Sequence, residues 1–409
     1  MSIFDWTKYH MPVLQYFKEQ AKKEKILKDK NIGIVLHLEK KTAILIEAIL
    51  DSGANVYCAS CNPLTTDQSA ANYVKELGAE VYAKEFESEK EYVEFLQKIA
   101  EKDLDAIIDD GADLIYLLHE KEFANKNLYG ACEETTTGIL RAKQLEATKR
   151  LRFPVIAVNN ANSKRLFDNV YGTGESAIAG ILNITNLTLA GKVVAVFGYG
   201  QCGKGIAKKL KGLGAKVIVV EVNHVDTFGY SGIHKALEAY FEGYEVMDSI
   251  SACKKADIII TATGNTKVVT EKHFNVMKNG IILANAGHFN VEIDVEYLEK
   301  NATSKREINK AIKEYTLNGK KLYLLADGRL VNLAKPYGQG HAIEIMDLSF
   351  SIQFLSLQYL IKNHDHLDNK VINVPKDIDI TVARKFLELK EIKIEELTTE
   401  QKAYLKTSH

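Results

Sequence analysis

Apolar and polar positions along the first 185 residues follow a rhythm of short apolar runs separated by longer amphipathic ones. "NIGIVLHL" has the length and β-branched content of a buried strand, and "KTAILIEAILDSG" has the 3.6-residue spacing of a helix closed by a glycine. "ANVYCAS" then reads as a strand and "TTDQSAANYVKELG" as a capped helix; the alternation continues through "AEVYAKE", "EKEYVEFLQKIAEK", "LDAIIDDGAD" and "FPVIAVNN". Strands alternating with helices predict a parallel sheet covered on both faces, because each parallel neighbour needs a crossover. A second series opens near Lys192 with "KVVAVFGYG", a helix through Leu213, and then "AKVIVVEVN", "ADIIITATG", "GIILANAGH" and "KLYLLADGRLVNL". The pattern therefore predicts an α/β protein with two doubly wound parallel sheets and a boundary near 186–190. After Leu333 it turns helical: "HAIEIMDLSFSIQFLSLQYLIKN" is an amphipathic run with the length of a hinge or packing helix. The tail "VPKDIDITVARKFLELKEIKIEELTTEQKAYL" predicts short helices on the surface or at a subunit contact.

Composition narrows the partners. The chain has 409 residues, 46% hydrophobic and 26% charged, enough for two or three domains with substantial cores. Lys+Arg 53 against Asp+Glu 54 leaves a formal charge of -1, so there is no overall basic field for nucleic acid, and a small-molecule partner is favoured. The start, "MSIFDWTKYHMPVL", carries no signal-peptide pattern, and no apolar run approaches the roughly 20 residues that span a bilayer, which predicts a soluble cytoplasmic protein. Five cysteines do not form a disulfide framework. Cys58 and Cys61 make a C-x-x-C, "CASC", but a zinc site wants two further ligands at comparable spacing; the sequence offers none, so no metal is expected.

The strongest local signal is "FGYGQCGKG". Gly198, Gly200 and Gly203 match G-x-G-x-x-G between a strand and a helix, with Gly205 following. The first glycine permits the tight turn, the second the approach of a pyrophosphate, and the third close helix packing. The helix that opens at Gln201, Cys202 and Lys204 aims its N-terminal amides at phosphate charge. Glu221 ends the next strand, where a carboxylate accepts both ribose hydroxyls and repels a 2'-phosphate, so NAD is favoured over NADP.

The first half carries polar clusters at successive strand ends: His37 in "LHLEKKT", Asp109, Asp110 and Asp113 in "IIDDGAD", Glu133 and Glu134 in "CEETTTG", and "NNANSKRLFDN" from Asn159 to Asn169. Singly, each is equally well explained as a solvated loop or a helix cap. Four at successive strand ends point to a ligand crevice. Lys164 and Asp168 share a helical face and, in a closed cleft, could trade a proton.

In order and spacing, "EETTTG", "NSKRLFDNVYGTGES", "GKVVAVFGYGQCGKG", "NAGHFNVEIDVEYL", "GRLVNL" and "LTTEQKAYL" resemble the S-adenosyl-L-homocysteine hydrolase family over nearly the whole chain. The resemblance implies two Rossmann-like domains: a substrate-binding domain over 1–185, an NAD-binding domain over 186–342 inserted into it, a hinge and second substrate part over 343–372, and an oligomerisation and cofactor-covering tail over 373–409. It implies a thioether hydrolase of the methyl cycle, usually a homotetramer, with a dimer as the other expectation. Tightly held NAD oxidises the nucleoside 3'-hydroxyl, homocysteine is eliminated, water adds and the hydride returns. By this resemblance Lys164, flanked by Asp168, takes the 3'-hydroxyl proton, with its pKa lowered by desolvation. Asp110 lies near C4', His37 serves the thiolate and water, Glu134 grips a ribose hydroxyl, and Asn159 and Asn169 orient sugar and nicotinamide. Thr135, Thr136 and Thr137 reach the cofactor from the substrate domain; Thr263, Gly264, Ala286, Gly287, His288, Asn332 and His341 line the cofactor, the last also the homocysteine entrance, with His288 counted among the catalytic groups.

Four departures bear on specificity. Glu39 and Lys41, beside Thr42 in "LHLEKKT", replace the family's usual threonine and glutamate at the base. An ammonium there suits an oxo base such as hypoxanthine, making S-inosyl-L-homocysteine an alternative substrate. The segment after Glu221 and the stretch "LAKPYGQG" before His341 are longer than usual and bear on cofactor and thiol specificity. The chain stops at His409 soon after "KAYL", so weaker cofactor affinity and faster exchange are expected. The competing functional readings are an NAD-dependent dehydrogenase and a catalytically silent nucleotide-binding regulator.

Overall fold

The computed structural model describes residues 1–123, 128–225 and 229–406. The strands in chain order begin with β1 Asn31–Val35, β2 Asn55–Ala59, β3 Glu80–Tyr82, β4 Ala106–Asp109, β5 Gly130–Glu133 and β6 Val155–Ala157. These are followed by β7 Val193–Phe197, β8 Lys216–Val220, β9 Glu245–Val246, β10 Ile258–Thr261, β11 Ile281–Asn285, β12 Ser304–Asn309, β13 Ile312–Leu317, β14 Lys320–Leu325 and β15 Val371–Asn373. They form two sheets: a seven-stranded one ordered β15-β6-β5-β4-β1-β2-β3, and an eight-stranded one ordered β12-β13-β14-β11-β10-β7-β8-β9. The first is parallel throughout, and the chain returns to it after the second, so the second sheet is an insertion.

In each sheet the strand order reverses once, between β1 and β4 and between β7 and β10. Such reversals open a crevice at the carboxyl ends of the strands. The polar clusters follow β1, β4, β5 and β6 at one crevice, and the glycine turn follows β7 at the other.

Two elements go beyond the expected pattern. β12 pairs antiparallel with β13, and β13 antiparallel with β14, giving the second sheet an antiparallel edge. The N-terminus forms helices Ile3–Tyr9 and Pro12–Glu24, the second burying Val13, Leu14 and Phe17. It packs on the long helix Ile343–Asn363, which buries 14 of its 21 residues and packs its apolar face into the first sheet's core with Ile32, Ile34 and Val56. The other face of that sheet holds Val35, Ile99, Ile107 and Leu145. Helix Thr173–Thr185 packs Ala177, Ile178 and Ile181 into the core of the second sheet with Val194, Val196 and Ile206. Among the described residues no helix is long and apolar enough to cross a membrane.

Candidate active site

Lys164 sits at the end of the short helix Asn162–Arg165, and a π-helical turn, Asp168–Gly172, follows it. The turn brings Asp168 and Asn169 back onto the lysine. The Lys164 ammonium donates to Asn159 Oδ1 (3.1 Å) and Asn169 Oδ1 (2.8 Å), and lies 3.1 Å from Asp168 Oδ2 and 3.6 Å from Glu134 Oε1. Asn169 Nδ2 donates to Asn159 Oδ1 (2.9 Å), whose own Nδ2 donates to Thr136 Oγ1 (2.8 Å). Asp168 takes Ser349 Oγ–H at 2.8 Å through one oxygen and pairs with His341 Nδ1 through the other.

One expectation is corrected here. Burial alone would lower the Lys164 pKa, but the charges of Asp168 and Glu134 outweigh it and hold the ammonium above its ordinary value. Burial pushes Asp168 up, and Lys164 and His341 overcome it to hold the carboxyl well below the usual range. Glu134 is pushed up by burial; its Oε2 accepts from Gln353 Nε2 at 2.6 Å, while its buried Oε1 has no hydrogen-bond partner among the described residues.

A second group faces the first. The loops after β1 and β4 place His37 Nε2 3.6 Å from Asp110 Oδ2, with His37 Nδ1 hydrogen-bonded to Thr65 Oγ1 at 2.9 Å. Burial depresses the His37 pKa to about 4 despite the nearby Asp110 charge, so the imidazole is neutral at physiological pH. From the second sheet, His288 brings Nδ1 to 3.5 Å from Asp110 Oδ1, and its ring lies 5.8 Å from that of His37. A Cβ on Gly111 would stand 2.4 Å from His288 Nε2, so the two domains meet directly over this loop.

At the positions expected to read the base, Glu39 accepts from Lys41 N (3.2 Å) as the cap of helix Lys40–Asp51, and its carboxylate is 2.8 Å from Lys41 Nζ. The same ammonium donates to the Gln339 carbonyl at 2.7 Å. Lys41 thus joins helix Lys40–Asp51 to the longer segment before His341. Thr42 donates to the His37 carbonyl (2.6 Å) and fixes that loop.

The glycine turn fits a dinucleotide. Gly198 adopts φ +96°, a Cβ on Gly203 would lie 1.8 Å from the Gly198 carbonyl, and Gly200 faces open space. The helix that starts at Gln201 points its N-terminus there. Glu221, which follows β8, accepts from Tyr199 N within the turn. Gly205 packs against the Val170 carbonyl, tying this helix to the turn that carries Asn169. Cys202 Sγ accepts from Thr173 Oγ1 at 3.5 Å, beside His341. Lys204 is turned elsewhere, to Glu238 at 2.5 Å. Thr137 Oγ1 would lie 3.9 Å from a Cβ on Gly264, so Thr137 reaches the second domain, whereas Thr135 and Thr136 bond to Glu133 and Asn159 within the first. Buried Asn332 donates to Ser176 Oγ (3.1 Å) and leaves its Oδ1 without a hydrogen-bond partner among the described residues. Part of the longer segment after Glu221, residues 226–228, and the chain's last residues, 407–409, lie outside the described residues.

Several supporting residues are missing from the sequence reading. Glu292 accepts from Thr263 N, Thr263 Oγ1 (2.7 Å) and Gly264 N (2.8 Å), and a Cβ on Gly287 would collide with its carboxylate. One buried carboxylate therefore shapes both loops that carry Thr263, Gly264, Ala286 and Gly287. Glu133, named in the sequence only as part of a strand-end cluster, does the same in the first domain, accepting from Gly111 N, Thr135 N and Thr135 Oγ1, each at 2.9 Å. Ser349 and Gln353, four apart on helix Ile343–Asn363, hold Asp168 and Glu134. Glu292 lies inside a quoted motif and could have been found as an unassigned acid; nothing local to the sequence marks Ser349 or Gln353.

Two facing crevices, one shaped for NAD and one lined with acid-base groups, define a two-domain NAD-binding α/β enzyme. The chain belongs to the S-adenosyl-L-homocysteine hydrolase family: residues 4–128 match the model described as S-adenosyl-L-homocysteine hydrolase and residues 169–338 that described as its NAD binding domain. It is 47% identical over 402 residues to an adenosylhomocysteinase of Archaeoglobus fulgidus, covering 98% of this chain and 96% of that one. It is 48% identical over 401 residues to an S-inosyl-L-homocysteine hydrolase of Methanocaldococcus jannaschii, covering 98% and 94%. An adenosylhomocysteinase of Saccharolobus solfataricus is 48% identical over 405 residues, with the same coverage. NAD is the cofactor.

Proposed function

We propose that the chain catalyses the reversible hydrolysis of S-adenosyl-L-homocysteine to adenosine and L-homocysteine. The observation that carries this is the buried Lys164, Asp168, Glu134, Asn159 and Asn169 network, set against His37, Asp110 and His288 across the domain junction. NAD supplies the acceptor and later the donor of a hydride at the sugar C3'. The unpartnered Glu134 Oε1 takes a ribose hydroxyl. Lys164 starts protonated, so a proton leaves before it can accept one from the 3'-hydroxyl; the exit that the contacts support is Asp168 to His341, whose side chain is 19% exposed. Asp110, whose Oδ1 has no hydrogen-bond partner among the described residues, removes the C4' proton. Neutral His37 takes a proton from water and gives one to the departing thiolate. Closure over this site keeps the oxidised sugar from bulk water.

A specific observation favours the same chemistry on S-inosyl-L-homocysteine. The Lys41 ammonium has three N–H groups, and Glu39 and Gln339 engage two, leaving one for an acceptor on the base such as a 6-oxo group. Domain roles follow the segments 1–185, 186–342, 343–372 and 373–409. The exposed Ile392, Ile394, Leu397 and Leu405, with no buried residue in helix Thr399–Tyr404, support a homo-oligomer in which the tail is covered by a partner subunit. Five free cysteines support a reducing, cytoplasmic setting.

The test is to supply NAD-loaded protein with S-adenosyl- and S-inosyl-homocysteine side by side and measure free thiol. Thiol release without net NADH is expected. No thiol from either substrate overturns the proposal, and NADH accumulating in step with product indicates a dehydrogenase.

A further inference from the structure

Cys61 has no part in the chemistry above, yet it lies inside the site. It follows β2, is buried, and its backbone N–H donates to the Leu36 carbonyl at 3.1 Å, which holds its loop against the one carrying His37. Its companion in "CASC", Cys58, packs in the core on one face of the sheet, whereas Cys61 belongs to the core on the other. The two sulfurs therefore do not form a C-x-x-C ligand pair. The neighbours Cys61 does have come from far along the chain. One ligand atom each from His37, Cys61 and Asp110 lie within 4.8 Å of one another.

We propose that His37, Cys61 and Asp110 form an inhibitory site for a zinc-class divalent transition metal. The donors are an imidazole nitrogen, a thiol sulfur and a carboxylate oxygen, a set that suits Zn²⁺ or Co²⁺ rather than Mg²⁺ or Ca²⁺. His37 Nε2 and Asp110 Oδ2, at 3.6 Å, are already close to the separation of about 3.3 Å between two ligands of a tetrahedral ion with bonds near 2.0 Å. Drawing in the sulfur completes a three-ligand face. His37 already bonds through its other nitrogen to Thr65 Oγ1, the outer contact that orients a metal-binding imidazole. Asp110 is 5% exposed, and its Oδ1 has no hydrogen-bond partner among the described residues.

Binding exchanges the Cys61 S–H proton for the metal and releases that proton to solvent. It also occupies the imidazole and carboxylate that the reaction needs, which makes the ion an inhibitor. The fourth position is open to an outside ligand. On the proposed function, which this last step rests on, homocysteine thiolate is formed beside the same imidazole and would close the tetrahedron, so zinc should inhibit more strongly when homocysteine is present.

The experiment titrates reduced, NAD-loaded protein with Co²⁺ and, separately, assays thiol release against Zn²⁺. One Co²⁺ per chain with a near-ultraviolet thiolate-to-cobalt charge-transfer band is expected. Cys61→Ser should abolish the band and raise the half-inhibiting Zn²⁺ concentration by at least about tenfold, since losing a ligand weakens a site no less than losing an outer-shell partner does. Cys58→Ser should leave both unchanged. A band and inhibition that survive Cys61→Ser, or that vanish with Cys58→Ser, overturn the site. If Cys61→Ser does not fold, Thr65→Val provides the second reading, with weakened cobalt binding expected and unchanged affinity counting against the site. The cobalt spectrum needs no turnover, so it reports on the metal site even if neither nucleosyl-homocysteine releases thiol.

Discussion

Lys164 is where local electrostatics depart most from a simple burial argument. Desolvation by itself favours the neutral amine, but two carboxylates within 3.6 Å reverse the balance and keep the proton on. On the proposed mechanism Lys164 is thus protonated at rest and acts as the base once its proton has left through Asp168. Lys164→Met should cut 3'-oxidation by about 10²- to 10⁴-fold, the usual worth of a positioned base. The check is the rise of reduced-nicotinamide absorbance on mixing the NAD-loaded variant with nucleoside, with bound NAD measured in parallel and expected to stay unchanged. His37 gives a second prediction at this scale. Its folded pKa, about 4, lies below its ordinary 6.5 because burial disfavours the cation. Between those values the unfolded chain binds a proton that the folded chain refuses, so this group makes stability rise with pH across that window. Replacing it by Gln should flatten the rise in melting temperature between pH 4 and 6.5; an unchanged slope would assign the effect to other groups.

Helix Ile343–Asn363 shows how one element serves both the core and the site. Asp347, fully buried, accepts from Val13 N (3.0 Å) and Leu14 N (2.8 Å), capping helix Pro12–Glu24, whose own N-cap Met11 makes no side-chain bond. Burial pushes the Asp347 carboxyl up to about 7. The folded chain therefore holds a proton between pH 3.8 and 7 that the unfolded chain has lost, and this group makes stability fall as pH rises through that range. Asp347→Asn removes the slope: it should lower the melting temperature at pH 5, where the native acid is protonated, and the gap should narrow by pH 8. The strands, the glycine turn and the strand-end clusters were legible in the sequence because periodicity and turn chemistry are local. Asp347, Ser349 and Gln353 were not, because a polar residue in an apolar helix looks like a solvent-facing position until its distant partner is known. The β12–β13 edge was missed for a related reason: "SKREIN" is polar and exposed, without the apolar run by which the other strands were found.

At the scale of the whole molecule, ion pairs outside the site join the two domains. Arg329 meets Glu89, and Lys335 lies 3.2 Å from Asp67, which Lys40 also approaches at 3.0 Å. Arg329–Glu89 is exposed on the Glu89 side and contributes little by itself. Lys335–Asp67 is mostly buried on both sides; burial pushes Asp67 up, but Ser69 and the two lysines overcome it and hold the carboxyl low. The Lys335 N–H also donates to the Leu64 carbonyl at 3.3 Å, and at the other end of the same segment the Gln339 carbonyl takes Lys41. The longer stretch before His341 is thus pinned to the substrate side at two points, one of them the residue proposed to read the base. Asp67→Asn removes one pin without touching Lys41. If the segment gates the thiol, this variant should raise the KM for homocysteine in the synthetic direction several-fold and leave the rate of 3'-oxidation of the nucleoside nearly unchanged, because Lys164 and Asp168 lie behind the gate. Lys41→Glu cuts the other pin and also changes the base contact, so it should move homocysteine KM and shift preference from inosine toward adenosine together. Measuring both variants with both nucleosides separates the roles: a preference shift in Asp67→Asn as large as that in Lys41→Glu would mean that base selection comes from closure rather than from the Lys41 ammonium.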